Sequence, residues 1–535
     1  MKFYNYISLF MFAATLGLAS CAQQEDPTAP AADDIQPLRL TVSDNGFKDI
    51  TPTRASDAGY TTTFVEGDAI GVFAVRNGAV IEDISNRKFT YTEGVWELDG
   101  DVIEYKGTDF NKMQFFAYYP YQATMAIDPS KVNTADPSLS DPFETVVSNW
   151  TIGADQSGDN YTQYDLMTSV GAAQGERLQG KVSFQMKHRM SLAVIEMPKI
   201  NYSFTNGGMA DYQSDVSVGE FTMNGTAMQP YYDATTETYQ ALVKPATAYT
   251  IAGTYTGASE MEYSAQGTLE SGTAKKYVIS DPTSITYTLA VGDYYCASGK
   301  LVSGNEETVP EDCIGIVFYV GNPQPSALPD DASYTETNDA LRRDYPNATH
   351  GLVVAMDNAT RYGVTDVRFA STSTSQFAAW FTSDPDWSDK FITDIGRTVN
   401  PGFLGYNNTV LMEMSPSTTA CDSAMSFITT YREEVPAPKG ASRWFIPTLR
   451  EYETLTTNLA AVNAKLNAAN TQTGGALGTA LITGGALGGT AYWTSKERDR
   501  NTTIVYQHNL TAGSLLTPYR DRGSQDGLFR FMLAF

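Results

Sequence analysis

The sequence predicts a mainly β protein in which two β-sandwich domains are followed by an α+β domain. The 535 residues are too many for one hydrophobic core, and 42% of them are apolar, enough for several cores. Short apolar runs separated by Gly and Asn turns fill the chain to about residue 290, which is typical of β-sandwiches. The clearest helical pattern appears only later in the chain. We therefore place the domains at 38–180, 181–290 and 291–535.

The composition excludes one class of partner. Acidic residues outnumber basic ones by 61 to 36, which gives a formal charge of −25. Nucleic-acid binding needs a basic face, so we expect no nucleic-acid partner. The charge favours solubility and repulsion between molecules but does not identify a partner. The 32 tyrosines suit β-strands and also surfaces that contact sugars or proteins.

The N-terminus has the pattern of an export signal. An apolar run at 7–18 is short for a membrane span. It ends in Leu-Ala-Ser-Cys at 18–21, which resembles a bacterial lipobox, where the chain is cut before a cysteine that receives lipid. We therefore expect a signal peptide at 1–20, lipidation of Cys21 with anchoring in outer-membrane lipid, and a flexible tether at 21–37.

The first predicted strand is followed by a loop that a protease can reach. Residues 38–43 carry leucine or valine at alternate positions, as a half-buried strand does. Arg54 and Ala55 follow a proline among small and polar residues, in a segment that reads as open loop. A strand followed by such a loop can be cut off and removed from its sheet. Its loss would leave unpaired backbone groups and apolar pockets, which a strand of another chain could fill.

The next part of the chain reads as a series of strands. A buried strand is predicted at 69–74, and apolar residues on either side of Glu93-Gly94 predict a hairpin. The run from Met113 reads as a strand that Pro120 ends.

This part of the chain resembles the fimbrillin-like pilus lipoproteins, over roughly residues 18 to 290. The motifs that carry the resemblance are Thr-Arg-Ala at 53–55, Phe-x-x-Gly-Asp-x-Ile-Gly-Val-Phe at 64–73, Trp96, Ala-Tyr-Tyr-Pro-Tyr at 117–121, Asp-Leu-Met at 165–167 and the strand at 182–192. The resemblance implies transthyretin-like sandwiches, cleavage by a trypsin-like protease between Arg54 and Ala55, and joining to other pilus subunits by strand exchange. An ordinary surface arginine in a linker is the alternative reading of Arg54.

The character of the sequence changes near Gly292. Buried strands are predicted at 313–321 and 350–356, whereas 402–409 reads as a loop. The last residues, 529–535, read as a terminal buried strand that we expect to be locked in the core.

The clearest helix of the chain is predicted after residue 447. Thr448 can cap its first turn, Glu451 can bond back to the cap, and apolar residues recur at helical spacing to Leu466. With this helix, residues 290–535 resemble bacterial surface modules with a C-type-lectin-like fold. The marks are Gly-Asp-Tyr-Tyr at 292–295, Ile-Gly-Ile-Val at 314–317, His-Gly-Leu-Val-Val-Ala at 350–355, Trp-Phe-Ile-Pro-Thr-x-x-Glu at 444–451, Tyr-Trp-Thr-Ser at 492–495 and Arg-Phe-x-x-Ala-Phe at 530–535. Pilus-type domains followed by such a module resemble a tip or adhesive subunit.

The residue patterns predict no catalysis, no cofactor and no metal site. His188, His350 and His508 stand in three different strand or loop contexts, the first two beside apolar strand residues, and the Gly-x-Ser-x-Gly elbow of hydrolases is absent. Three carboxylates at 384–389 suit Ca²⁺, but a solvated acidic turn is the favoured reading. We therefore expect a protein that is not an enzyme.

Trp380, Trp387 and Tyr406 are the candidate ligand contacts, because we expect these aromatic side chains to be exposed. The sugar-binding motifs of calcium-dependent lectins are absent, so protein binding and sugar stacking on aromatic rings both stay open.

With Cys21 lipidated, Cys296, Cys313 and Cys421 allow one disulfide and one free thiol. Cys296 and Cys313 are the favoured pair, and the sequence alone does not decide between the pairings.

Three hypotheses about function follow. The first is a lipoprotein precursor of a fimbrial tip or minor subunit, assembled by strand exchange and presenting an adhesive head to host or bacterial surface protein or glycan. The second is a permanently anchored surface lipoprotein that binds glycan or host protein without polymerising. The third, a hydrolase on a β scaffold, has no residue pattern in its support.

Overall fold

The computed structural model describes residues 36–51, 60–105, 112–173, 175–176, 180–257, 259–280, 284–327, 334–361, 363, 367–372, 390–395, 402–415, 420–482, 491–497, 504–510, 519–521 and 526–535. The chain forms two compact units. The first contains the residues up to 194 with 227–250 and 266–277, and the second contains 195–226, 251–265 and 278–535. Residues 181–290, expected as one sandwich, are therefore shared between the units, and the boundaries at 180 and 290 stay predictions.

Strands dominate the described residues, as the composition and turn pattern predict. In chain order they are β1 (Gln36–Pro37), β2 (Arg39–Asp44), β3 (Lys48–Asp49), β4 (Ala69–Arg76), β5 (Ala79–Val80), β6 (Arg87–Thr92), β7 (Val95–Leu98), β8 (Glu104–Tyr105), β9 (Gln114–Tyr119), β10 (Met167–Ser169), β11 (Gly175–Glu176), β12 (Lys181–His188), β13 (Ser191–Glu196), β14 (Lys199–Phe204), β15 (Tyr212–Asp215), β16 (Ser217–Met223), β17 (Thr226–Met228), β18 (Tyr231–Asp233), β19 (Thr238–Val243), β20 (Tyr249–Thr256), β21 (Glu260–Gly267), β22 (Thr273–Val278), β23 (Ser284–Tyr287), β24 (Tyr294–Cys296), β25 (Leu301–Val302), β26 (Cys313–Val320), β27 (Gly351–Ala355), β28 (Tyr492–Glu497), β29 (Ile504–His508), β30 (Tyr519–Asp521) and β31 (Met532–Ala534). The α-helices are α1 (Glu144–Asn149), α2 (Asn160–Tyr164), α3 (Ala340–Asp344), α4 (Gly405–Met414), α5 (Asp422–Glu434), α6 (Leu449–Thr457) and α7 (Leu459–Gln472). Short 3₁₀ turns lie at Glu82–Ile84, Pro129–Lys131, Pro137–Leu139 and Pro325–Ala327.

The main sheet of the first unit closes on itself. Its order is β10-β9-β4-β6-β7-β2-β12-β11, and β10 also pairs with β12, which closes the strands from β10 to β12 into a ring and leaves β11 outside it. We call this closed set the ring. Its interior is filled by Leu38, Leu40, Ile70, Val72, Ala74, Ile84, Phe89, Ile103, Met113, Phe115, Ala117, Tyr119, Met167, Val182, Phe184 and Met186. The first core thus lies inside a closed set of strands, and β2 is one of them.

A second sheet of the first unit packs against the outside of the ring. Its order is β18-β19-β13-β22-β3. Along β4, Val72 and Ala74 face the interior of the ring, whereas Phe73 and Val75 face the second core, which includes Leu192 of β13. This alternation follows from the two-residue repeat of a strand, and it lets one sheet bury both of its faces.

The second unit combines several smaller sheets with the longer helices. Among the described residues the sheet orders are β15-β14-β23, β17-β16-β20-β21, β25-β24-β26-β27-β31 and β28-β29-β30. The predicted strands at 313–321 and 350–356 are confirmed as β26 and β27. The terminal strand is confirmed as β31, in which every residue is buried.

Two local predictions are confirmed in detail. The turn of the β6–β7 hairpin places Glu93 at φ 48° and Gly94 at φ 85°, the left-handed pair that matches the twist of two antiparallel strands. Thr448 and Glu451 form the predicted capping box at the start of α6. The predicted helix is divided at Asn458, where α6 ends and α7 begins.

One local prediction is wrong, because residues 402–409 are not a loop throughout: α4 begins at Gly405. The Gly405 N–H donates to Glu451 Oε1 at 2.7 Å, so a carboxyl group 46 positions away caps the start of this helix. A cap that comes from another element leaves no signal in the local sequence.

The favoured disulfide is also not formed, and Cys296, Cys313 and Cys421 are buried thiols. Cys296 and Cys313 do lie opposite each other on β24 and β26. The thiol of Cys313 instead approaches Gly315 O at 3.5 Å and Met356 Sδ at 3.6 Å. Burial raises the pKa of Cys296 far above its usual value and that of Cys313 to about 12, so both stay protonated thiols.

Candidate strand-exchange site

The two neighbours of β2 in the ring hold it unequally. Parallel pairing with β12 extends over all six residues of β2, and the Arg39 N–H donates to Gly180 O at 2.7 Å. Antiparallel pairing with β7 is confined, within the described residues, to Leu40 opposite Trp96. Because backbone pairs supply much of the hold on a strand, the β7 side of β2 opens more readily than the β12 side.

Alternate side chains of this segment fill the ring. Leu38 and Leu40 are 7% and 8% exposed, and Val42 packs against the same core. Arg39 and Thr41, between them, are exposed. The alternation predicted from the sequence is therefore confirmed. Burying an aliphatic side chain of this size contributes about 1.5–3 kcal/mol, so these residues both anchor the strand and fix its register.

A buried histidine ties the end of β2 to the ring. His188 Nε2 lies 3.1 Å from Asp44 Oδ2, and Nδ1 lies 2.9 Å from Asp165 Oδ1. All three side chains are almost completely buried. The ring of Phe47 stacks on the imidazole with 3.7 Å between centroids. We call Asp44, Asp165 and His188 the His188 cluster.

The two carboxylates decide the charge of this histidine. Burial acts to lower the pKa of His188, but the charges and hydrogen bonds of Asp165 and Asp44 outweigh it and raise the pKa to about 9. Burial acts to raise the pKa of Asp44, yet the hydrogen bond and charge of His188, with the Thr62 and Gly46 N–H groups, hold it below its usual value. At neutral pH the cluster is therefore an imidazolium between two carboxylates, one of which belongs to β2.

The same N-terminal segment continues to the second sheet of this unit. Phe47 is 3% exposed in the second core. Strand β3 pairs in parallel with β22, where the Lys48 N–H donates to Gly272 O at 2.8 Å and the Ile50 N–H donates to Ala274 O at 2.9 Å. Residues 36–51 thus contribute a strand to each of the two large sheets, β2 inside one and β3 at the edge of the other.

The predicted cut falls outside the described residues, because Arg54 and Ala55 lie within 52–59. The chain from residue 60 onward returns to the N-terminal segment. The Phe47 N–H donates to Tyr60 O at 2.8 Å, and the Thr62 N–H donates to Asp44 Oδ2 at 2.7 Å. Cleavage at Arg54 stays a prediction.

The other predicted site residues are not brought together. Cys21, Trp380 and Trp387 lie outside the described residues, so lipidation and ligand contact there stay predictions. The expected exposure of Tyr406 is wrong, because this residue is 2% exposed within α4. Its hydroxyl donates to Asp344 Oδ2 at 2.9 Å, which satisfies the polar end of the buried ring.

Sequence reasoning missed the His188 cluster. It did place His188 in a core or edge position, which its 2% exposure confirms. The partners, however, stand 144 and 23 positions away in the chain. The one local signal is Lys-His-Arg at 187–189 between two buried methionines, since a charged run inside an apolar strand needs partners.

The described residues contain neither a metal-binding cluster nor a membrane-spanning helix. No group of three or more His, Cys, Asp or Glu side chains there is arranged to hold a metal ion. No helix in that part of the chain is long and apolar enough to cross a membrane.

The mainly β fold of this chain is similar to that of a solved fimbrial protein. A crystal structure of a fimbrial protein from Bacteroides ovatus is similar to 94% of this chain and to 100% of that chain, with 30% sequence identity and a TM-score of 0.52.

The sequence comparisons give the family. Residues 53–309 match the family described as "Fimbrillin-like". The chain is 32% identical to the "Putative fimbrium tip subunit Fim1C" of Bacteroides ovatus, over 96% of each protein. It is 24% identical to the "Putative fimbrium subunit Fim1C" of Bacteroides uniformis, over 38% of this chain and 59% of that protein. The chain therefore belongs to the fimbrillin-like family, as its N-terminal motifs indicate. The C-type-lectin-like resemblance of residues 290–535 stays a prediction.

Proposed function

We propose that this protein is a fimbrial tip or minor subunit and adhesin, exported as a lipoprotein through Cys21 and assembled when cleavage after Arg54 releases the segment that contains β2. Membership of the fimbrillin-like family and similarity to a relative named as a fimbrium tip subunit support the fimbrial part. The main observation in support of assembly by strand release is the position of β2 between β7 and β12 in the ring.

Loss of residues 36–51 would open the ring between β7 and β12, the two neighbours of β2. The main-chain groups of β12 that now pair with β2 would be free, and the positions of Leu38, Leu40 and Val42 would become apolar pockets. Main-chain pairing gives affinity for an incoming strand, and pockets at every second residue select its register. A strand of a neighbouring subunit with apolar residues at alternate positions fits this groove.

The C-terminal strand supports a terminal position in the fibre. Every residue of β31 is fully buried, and β31 pairs with β27 over three residues. The Phe535 carbonyl accepts from the His350 N–H at 2.7 Å. Residues 532–535 are therefore part of the core of their own chain. A subunit that accepts a strand but keeps these residues suits the end of a fibre.

The test is N-terminal sequencing of the protein on intact cells and in shed fibres. We expect a precursor that begins at Cys21 and a fibre form that begins at Ala55. Arg54→Ala should stop processing and incorporation into fibres. Arg39→Ala, at an exposed arginine of β2, is the matched control and should leave both unchanged. Fibres built from chains that begin at Cys21 would rule out the exchange mechanism.

A second candidate is a surface lipoprotein that keeps its first strand and binds glycan. A cleft of about 960 Å³ in the first unit, lined in part by Tyr121, Trp150 and Tyr164, favours it, because such a mixed polar and aromatic lining suits sugars. This candidate predicts binding to polysaccharide arrays by a chain that starts at Cys21 and never enters fibres.

A further inference from the structure

A lysine and an aspartate face each other deep inside the second unit. Lys496 lies on β28 and Asp394 lies in the segment 390–395, and each side chain is 1% exposed. Lys496 Nζ is 3.5 Å from Asp394 Oδ2, and it lies over the ring of Tyr506, 5.7 Å from the centroid. Two opposite charges that are almost completely buried are expensive to hold, because the loss of hydration can exceed their attraction.

The two oxygens of the Asp394 carboxyl group have different surroundings. The Asn408 amide donates from Nδ2 to Oδ1 at 2.7 Å. The Thr393 hydroxyl donates to Asn408 Oδ1 at 2.6 Å, which fixes the orientation of that amide. The other oxygen, Oδ2, faces the lysine and has no hydrogen bond within the described residues. Oδ1 thus accepts a hydrogen bond from the oriented Asn408 amide, and Oδ2 faces the amine of Lys496.

Burial also favours the uncharged forms of both groups. It raises the pKa of Asp394 and lowers the pKa of Lys496, and in each case it is the largest influence. Transfer of one proton from Nζ to Oδ2 turns an ion pair into a neutral amine beside a carboxylic acid. A neutral amine is a nucleophile, and a protonated carboxyl group has a leaving group.

We propose that Lys496 and Asp394 join in an intramolecular amide bond. Nζ attacks Cγ of the protonated carboxyl group, and the negative charge that develops on Oδ1 is stabilised by the Asn408 amide. A proton from Nζ then moves to Oδ2, the Cγ–Oδ2 bond breaks, and one water molecule leaves. The amine and acid together lose two hydrogens and one oxygen, so atoms balance, and no oxidant or reductant takes part.

The bond would tie segment 390–395 covalently to β28. A cross-link between distant positions restricts the unfolded chain, so the second unit would resist both unfolding and mechanical extension. This inference concerns the second unit alone and does not depend on cleavage at Arg54 or on strand exchange. Asn408 acts here as a positioning residue for the group that reacts.

Intact-mass spectrometry of the denatured full chain is the direct test. We expect the wild-type mass to be one water below the mass given by the sequence, and a peptide in which Lys496 and Asp394 are joined. Lys496→Arg and Asp394→Ala should restore the full mass. Lys439→Arg, at an exposed lysine of the same unit, is the matched control and should keep the loss of water.

Two further variants test the chemistry. In Asp394→Asn the leaving group is ammonia instead of water, so a cross-linked chain of this variant shows a different loss of mass. Asn408→Ala keeps both reacting residues and should slow formation of the bond by about 10²–10³-fold, the typical effect of removing an oxyanion donor. A wild-type chain that unfolds cooperatively and still has the full sequence mass after long incubation would show an ion pair only and overturn the proposal.

Discussion

Strand β2, near the start of the described residues, and β31, at their end, are integrated differently. Strand β2 pairs along its whole length with β12 but at one position with β7, and a loop that reads as accessible follows it. Strand β31 pairs with β27, and Met532 also exchanges backbone hydrogen bonds with Phe445. The comparison shows that two strands can both belong to a core and differ in burial: the side chains of β2 alternate between buried and more exposed positions, whereas every residue of β31 is buried.

The largest expected effect comes from breaking the surroundings of the last strand. The fully buried Arg530 donates to Met356 O at 2.6 Å, to Thr479 O at 2.9 Å and to Asn358 Oδ1 at 3.2 Å. Arg530→Ala should lower the free energy of unfolding of the second unit by about 3–5 kcal/mol, because it leaves a cavity and unpaired carbonyls. Urea unfolding measures this effect.

The control for Arg530→Ala is Arg450→Ala, at an exposed arginine, which should change the free energy of unfolding by less than about 0.5 kcal/mol. If Arg530→Ala and Arg450→Ala lowered the free energy of unfolding equally, the buried surroundings of β31 would contribute no more to stability than an exposed position, contrary to this prediction.

An intermediate effect on stability is expected at β2. Leu40→Ala should weaken the hold on β2 by about 3 kcal/mol, because it empties a filled position of the ring. The loss should appear as faster hydrogen exchange at residues 39–44 and faster release of the segment once the loop is cut. Thr41→Ala, on the exposed face of the same strand, should have a small effect. A cut segment that never dissociates, even with Leu40→Ala, would contradict the separable role of β2.

The last expected effect concerns pH. The pKa of His188 is raised from 6.5 to about 9 in the folded chain, so its stabilising contribution is complete below about pH 6.5 and is lost as the pH rises through 9. We expect the precursor to lose at most about 3 kcal/mol of stability across this range. Hydrogen exchange of β2, corrected for the intrinsic pH dependence of exchange, measures it.

His188→Gln should remove this pH dependence. His508→Gln is the matched control at another buried histidine, whose pKa burial lowers to about 4. The contribution of His508 changes only as the pH falls below about 6.5, so its replacement should leave the alkaline range unchanged. A wild-type profile that is flat from pH 6.5 to 9 would contradict the charge assigned to the His188 cluster.

Local patterns predicted much of the fold. The alternation of Leu38 and Leu40, the turn at Glu93-Gly94 and the capping box of Thr448 depend on near neighbours and are visible in the sequence. The closure of the ring was not predicted, because it depends on β10 reaching both β9 and β12. The start of α4 was missed for the same reason, since its cap comes from Glu451.

The sequence by itself determined the mainly β character of the chain and its fimbrillin-like family, because strand alternation, turn residues and short motifs are encoded locally. Only the tertiary structure decided which charges meet: Asp44 with His188, and Lys496 with Asp394. The partners in each pair stand about a hundred positions apart or more. Burial then fixes their charge states, since the dielectric around a side chain is a property of the packed core and not of its neighbours in the sequence.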